Sequence, residues 1–330
     1  MRKILLCILL AWPRGVWADD APAKDSKPSR TQVINGYAYD PPRPFAFITN
    51  IPADTVDAWK MSFNKGSILP LAAIGVTTGL FIWKDQLILD KTHKMGTQWG
   101  VPHTSTGKDL IKTKVPFCKK NPAIRLPYDL GSGLYFLGDG TLHLVVAAGF
   151  LTTGLVASDN RALQTSSELA EGYLANGIAV QVIKHVSGRE DPNKRTRDGG
   201  RWVFFPSFKE YQKEVPHYDA FPSGHLSSAM VVVTVIAENY SDYHFIWPVG
   251  WVLMTGLAFQ MVNNGVHWAG DYPLAIGMGY VFGKAAVNRG RKAQPQTASA
   301  WSVEPMLLDN GGGVQLTRRF GGAKKKESLQ

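Results

Sequence analysis

The sequence predicts an all-α domain: a core bundle of about six helices with its functional residues at one end, and a short β-hairpin-like tail behind it. Two observations carry the bundle. Six apolar segments of helical length succeed one another between about Ser67 and Lys284, and period-two alternation is weak in all of them. A third observation carries the tail. Val303 to Leu308 and Val314 to Phe320 read as short strands around the glycine turn Asp309-Asn310-Gly311-Gly312-Gly313.

The elements follow in order. Met1-Arg2-Lys3, the apolar run Ile4 to Trp12 and the small residues of Val16-Trp17-Ala18 read as a signal peptide over 1–18, since the apolar run is too short to anchor and Pro13-Arg14 interrupts it. Its loss removes Arg2, Lys3 and Arg14 and takes the formal charge from +10 to +7. Residues 19–60 read as leader and linker, flexible in their Pro-, Lys-, Asp- and Ser-rich part up to about residue 45. The helical domain then spans 61–290, and 291–330 form the tail. Gly66 to Trp83, Gly140 to Ser158 and Phe245 to Val266 carry no formal charge. Glu171 to Lys184, His225 to Glu238 and Tyr272 to Gly283 are shorter, and polar insertions at 85–138 and 187–221 separate the segments.

Three segments approach the roughly 20 residues needed to cross a bilayer. A mean hydropathy of −0.10 and a hydrophobic content of 45% are low for a polytopic membrane protein. A soluble or membrane-apposed bundle in the periplasm or cell envelope is therefore the expectation, with embedding in the membrane as the alternative. Cys7 leaves with the signal, so Cys118 alone remains and no internal disulfide forms. Nothing around Cys118 marks a catalytic partner. The basic excess is spread out, and the cluster Lys324-Lys325-Lys326 is a solvated end rather than a nucleic-acid stripe; a weaker alternative is attraction to anionic lipid.

Chemistry concentrates at segment boundaries. Pro222-Ser223-Gly224-His225 precedes an apolar helix, whose unsatisfied N–H groups and dipole receive an anion. Ser223 caps that helix or donates to a phosphate oxygen, Gly224 admits close backbone approach, and His225 can pass a proton to a leaving oxygen. His267 is followed four residues on by Asp271, which shares its face if the segment is helical; an Asp that accepts from one ring nitrogen leaves the other free to attack phosphorus. Taken alone, such a pair is as readily a helix-surface contact. Lys184 and Arg189 can neutralise phosphate oxygens or complement a helix C-terminus. The conjunction reads as a phosphoryl-transfer site without an obligatory metal or cofactor.

The arrangement resembles the type-2 phosphatidic acid phosphatase and vanadium haloperoxidase superfamily, whose signature is Lys-x6-Arg-Pro, Pro-Ser-Gly-His and Ser-Arg-x5-His-x3-Asp. The resemblance spans roughly residues 65–288. It implies a nucleophilic His267 that forms a phosphohistidine, Asp271 as its partner, His225 as general acid, and Lys184, Ser223 and Gly224 as phosphate ligands. Both family arginines are missing from their slots, which hold Asp191 and Met261, the latter preceded by Gln260. A carboxylate beside a phosphate is repelled by about 4 kcal/mol at ~4 Å in an effective dielectric of about 20, so Asp191 is expected to point away. Arg189 is the expected substitute, with Arg195, Arg197 or Arg201 for the second vacancy.

The expected activity is hydrolysis of a phosphate monoester or pyrophosphate, on a phosphorylated lipid or a small ester. A weakened relative that binds phosphorylated envelope components without turnover is the alternative; vanadate-dependent halide oxidation is a more distant one. The aromatic residues of the insertions (Trp99, Trp202, Phe204, Phe205, Tyr218) would contact an acyl or prenyl chain or simply pack on the bundle, and His217 and Asp219 would support the site from behind.

Overall fold

The computed structural model describes residues 31–104, 107–112, 123–293, 301–308 and 311–318. All six apolar segments are helices. With the shorter ones numbered in chain order, the described residues form α1 (Ala46–Thr49), α2 (Ile51–Ser62), α3 (Ile68–Gln98), α4 (Leu130–Phe136), α5 (Gly140–Ala157), α6 (Asn160–Ser187), α7 (Phe208–Lys213), α8 (Gly224–Asn239), α9 (Ile246–Asn263) and α10 (Tyr272–Gly290). The fold is all-α with small β additions. The helix begun at the first segment runs on well past Trp83, because Lys84 to Lys94 hold several good helix formers (Lys, Gln and Leu) and no Gly or Pro to stop them. The polar insertion after it is correspondingly shorter.

The helices alternate in direction. The C-terminal ends of α6 and α9 meet the N-terminal ends of α8 and α10 on one side, where Ser223 N–H donates to Asp271 O at 3.0 Å and His267 N–H to Met261 O at 3.1 Å. Leu226, Met230, Leu257, Met261, Trp268 and Ala275 form one core cluster between α8, α9 and α10. Leu169, Val231, Val235 and Phe282 form another between α6, α8 and α10. α10 packs closely on α8, where a Cβ on Gly279 would lie 2.2 Å from Ser227 O, so only glycine fits.

Within the stretch expected as leader and linker, the part from residue 31 belongs to the fold. β1 (Gln32–Ile34), β2 (Tyr37–Tyr39) and β5 (Arg291–Ala293) make an antiparallel sheet in that order at the far end of the bundle. Tyr39 is buried there and its hydroxyl donates to Asn239 O, while Asp54 of α2 pairs with Arg289 of α10 at 2.6 Å. Buried aromatic and ionic contacts, rather than apolar periodicity, hold this segment, which explains why composition reads it as linker. β3 (Lys108–Lys112) and β4 (Ala123–Leu126) form a hairpin inside the first insertion. β6 (Trp301–Leu308) and β7 (Gly311–Arg318) form the expected C-terminal hairpin, with Leu308 opposite Gly311. The signal peptide, Cys7, Cys118 and Lys324 to Lys326 lie outside the described residues.

Two helices, α3 and α5, are long and apolar enough to cross a membrane. Large apolar side chains point outward along them and along α9: Leu69, Trp83, Val156 and Val252 are each more than 70% exposed.

Candidate active site

Four helix ends and one loop build the site. The Ser223 hydroxyl accepts from Leu226 N–H at 3.3 Å, so this side chain caps α8. Beneath the first turn lies Lys184, 4% exposed, whose Nζ would be 3.8 Å from a Cβ on Gly224. Its ammonium donates to Asp219 O at 2.6 Å and pairs with the Asp219 carboxylate at 3.2 Å. A helix N-terminus with the free N–H groups of its first turn, and a lysine directly below, is a cradle for an oxyanion.

The two histidines face each other across the mouth of α8, with His225 Nδ1 3.4 Å from His267 Nε2. The hydrogen-bond network fixes both tautomers. His267 Nδ1–H donates to Ala220 O at 2.9 Å, with Asp271 Oδ2 at 3.5 Å from the same nitrogen. The lone pair of His267 therefore sits on Nε2, where His225 Nδ1–H donates to it. The Tyr135 hydroxyl in turn donates to His225 Nε2 at 3.1 Å. A phosphorus atom that enters between the rings meets a bare nitrogen on one side and an N–H on the other.

Asp271 is fully buried. Burial alone would raise its carboxyl, but the Arg189 charge and then the His267 hydrogen bond outweigh it and hold the group below the usual carboxylate range. His225 is pushed well below the ordinary imidazole value by burial, with the charges of His267 and Lys184 adding to it. Burial thus favours the neutral ring, and a phosphate placed beside it acts in the opposite direction, towards the protonated one.

The fold brings His267, His225, Asp271, Lys184, Ser223 and Gly224 together. Arg189 does not face the cradle. Its guanidinium is fully buried, donating to Asp271 Oδ1 at 2.7 Å, Asp85 Oδ2 at 2.5 Å and Gly199 O at 3.0 Å, with the indole rings of Trp202 and Trp268 at 4.8 and 5.2 Å. Two carboxylates outcompete a solvent-facing role for this arginine. Arg195 lines a small separate cavity with His93 and His103, Arg197 Nε donates to Gly200 O, and the half-exposed Arg201 lies 3.6 Å from Glu190. Met261 is part of the core, and Gln260 donates to Pro102 O and Thr104 O.

Asp191 does not point away either. It is 9% exposed, and burial, then the Asp219 charge, push its carboxyl well above the usual range, against the lowering influence of Lys184. Asp219 supports Lys184 and accepts from the Tyr211 hydroxyl; His217 lies 3.4 Å from Glu190. Sequence reasoning missed Tyr135 and Asp85. Tyr135 gave no signal in an uncharged stretch. Asp85 did: it is the first carboxylate after the uncharged run Gly66 to Trp83, a place where an acid needs a reason.

Residues 167–294 match the family model of the PAP2 superfamily, and over that stretch the chain is similar to that superfamily. Members of that superfamily are generally phosphatases. Neither a curated protein nor a solved structure matches the chain.

Proposed function

We propose that the protein is a metal-independent phosphatase of the cell envelope that forms a phosphohistidine on His267. The observation that carries this reading is the bare His267 Nε2 facing the His225 N–H at 3.4 Å, beside the Lys184 and α8 cradle. His225 takes up a proton as the phosphate binds beside it. Nε2 then attacks phosphorus as the bond to the leaving oxygen breaks, the His225 imidazolium gives that oxygen its proton and becomes neutral, and Asp271 balances the charge that appears on the His267 ring. His225 then takes a proton from water, which attacks phosphorus and frees His267.

The outward apolar faces of α3, α5 and α9 support a bilayer around the bundle. Asp85 touches the site just after the uncharged run of α3 ends, so the chemistry sits at the membrane boundary, where a lipid phosphate presents its headgroup. We therefore favour a lipid phosphate or pyrophosphate over a small soluble ester. The test is phosphate release by the full chain in detergent from phosphatidic acid, a prenyl pyrophosphate and a chromogenic monoester, with and without a chelator. Acid-labile labelling of His267 and release that resists chelation support the reading; release without labelling, or release equal in His267→Ala, overturns it.

A second reading has its own observation. No cation occupies either family arginine slot, Arg189 is spent on carboxylates and Lys184 on Asp219. A protein that binds phosphorylated lipid without turning it over fits those facts. Phosphate or vanadate binding with no release from any substrate would establish it.

A further inference from the structure

His267 does not see Asp271 alone. Behind it stands a buried chain of charge: Asp85 on α3, Arg189 after α6, and Asp271 before α10. All three side chains are 0% exposed. Asp85 Oδ2 accepts from Arg189 at 2.5 Å, and its Oδ1 accepts from Gly270 N–H at 2.9 Å. Asp271 Oδ1 accepts from Arg189 at 2.7 Å, and its Oδ2 accepts from Trp268 N–H at 2.8 Å and faces His267 Nδ1. The three groups touch directly, and two indole rings cover the guanidinium.

The charges matter as much as the geometry. If Asp271 and Arg189 were alone, the guanidinium would offset most of the carboxylate charge that His267 needs. A second carboxylate on the far side of the guanidinium changes the balance. The cluster then carries one net negative charge, and that charge is delivered on the side where His267 sits. Interactions of this kind are strong because burial removes most of the solvent screening.

We propose that Asp85 is a positioning residue for His267: it neutralises Arg189, so that the negative charge of Asp271 is left to face the imidazole, and it pins the Gly270 turn that holds Asp271. Its effect on turnover rests on the phosphatase reading above; its effect on His267 itself does not. The ring also faces His225, and His225, Lys184 and Asp191 remain unchanged in the variants below.

The experiment uses the full chain in detergent with nitrogen-15-labelled histidine, and follows the His267 ring by NMR against pH without substrate. In Asp85→Asn the His267 pKa falls by about one unit, in Arg189→Met it rises, and in the double variant it returns close to the parent value, as a charge within a few ångströms demands. With substrate, Asp85→Asn loses at least about tenfold in kcat with KM little changed, and the double variant recovers most of the loss. A purely structural Asp85 gives the opposite pattern: no shift in the titration, and a double variant as poor as the worse single one. Should Asp85→Asn fail to fold alone, the double variant compared with Arg189→Met decides: a lower His267 pKa in the double variant supports the proposal and equal values overturn it. If the wild type releases no phosphate, the phosphatase reading fails, while the titration still separates the positioning role of Asp85 from a structural one.

Discussion

The two ends of α6 both bury charge and do different things with it. Lys184 and the residues beyond it lie at one end and Glu168 and Glu171 near the other, roughly 20 Å apart at 1.5 Å per residue. At the catalytic end, both oxygens of Asp85 and both of Asp271 accept hydrogen bonds. At the far end, Asp54 Oδ2, Glu168 Oε1 and Glu171 Oε1 are buried without a partner, although Arg289 holds Asp54, Asn50 Nδ2 donates to Glu171 and Asn239 Nδ2 to Glu168. A carboxylate with both oxygens engaged is fixed in place and charge, which suits it to orient a nucleophile. One with a spare oxygen can exchange partners or take a proton, which suffices for joining the N-terminal segment to the bundle. Asp191 Oδ1 and Arg189 Nε are unpartnered buried atoms around this site among the described residues.

The sharpest break of this comparison is His267→Ala, which should cost at least about a thousandfold in kcat with the fold intact by circular dichroism. A loss of only a few fold would remove the catalytic end from its role. Next comes Arg189→Met, which leaves Asp85 and Asp271 uncompensated; breaking a buried pair costs about 3–5 kcal/mol, read as a lower midpoint in thermal or denaturant unfolding. The same measurement on the double variant with Asp85→Asn should show a smaller loss.

Asp191 gives a pH prediction of definite sign. Its folded carboxyl is raised, so it is neutral at low pH and ionises as pH climbs through that raised value, among Asp219, Lys184 and Asp271. Vanadate or phosphate affinity should therefore weaken by about tenfold as pH rises, for one added charge near the anion. In Asp191→Asn the affinity should vary far less with pH. An equally steep profile in that variant would show that another group titrates. The smallest effect belongs to the far end. Glu171→Gln keeps an acceptor for Asn50 and offers an amide N–H to the neighbouring Asp54, so stability should change by less than about 1 kcal/mol and activity not at all.

How legible was this in the sequence? The six helices were, because each is a run of apolar residues longer than any strand, bounded by Gly, Asp or Ser caps. The Pro222-Ser223-Gly224-His225 turn and the His267–Asp271 pair were, because both are local: a helix start and a four-residue spacing place the groups without help from elsewhere. The segment 31–60 was not, since a Pro-rich stretch reads as linker until Tyr39 and Asp54 find partners more than a hundred residues away.

By itself, then, the sequence determined the helix set and the pairing of His267 with Asp271, since periodicity and short spacing are properties of the local chain. The tertiary structure alone decided what the charged residues do. Arg189 lies five residues from Lys184, and sequence spacing offered both to the same phosphate. Packing set them to different tasks, because a buried guanidinium goes to whichever carboxylates the fold brings to it. Asp85 and Asp271 come from opposite ends of the domain and meet at Arg189, which turns an expected phosphate ligand into part of the scaffold behind His267.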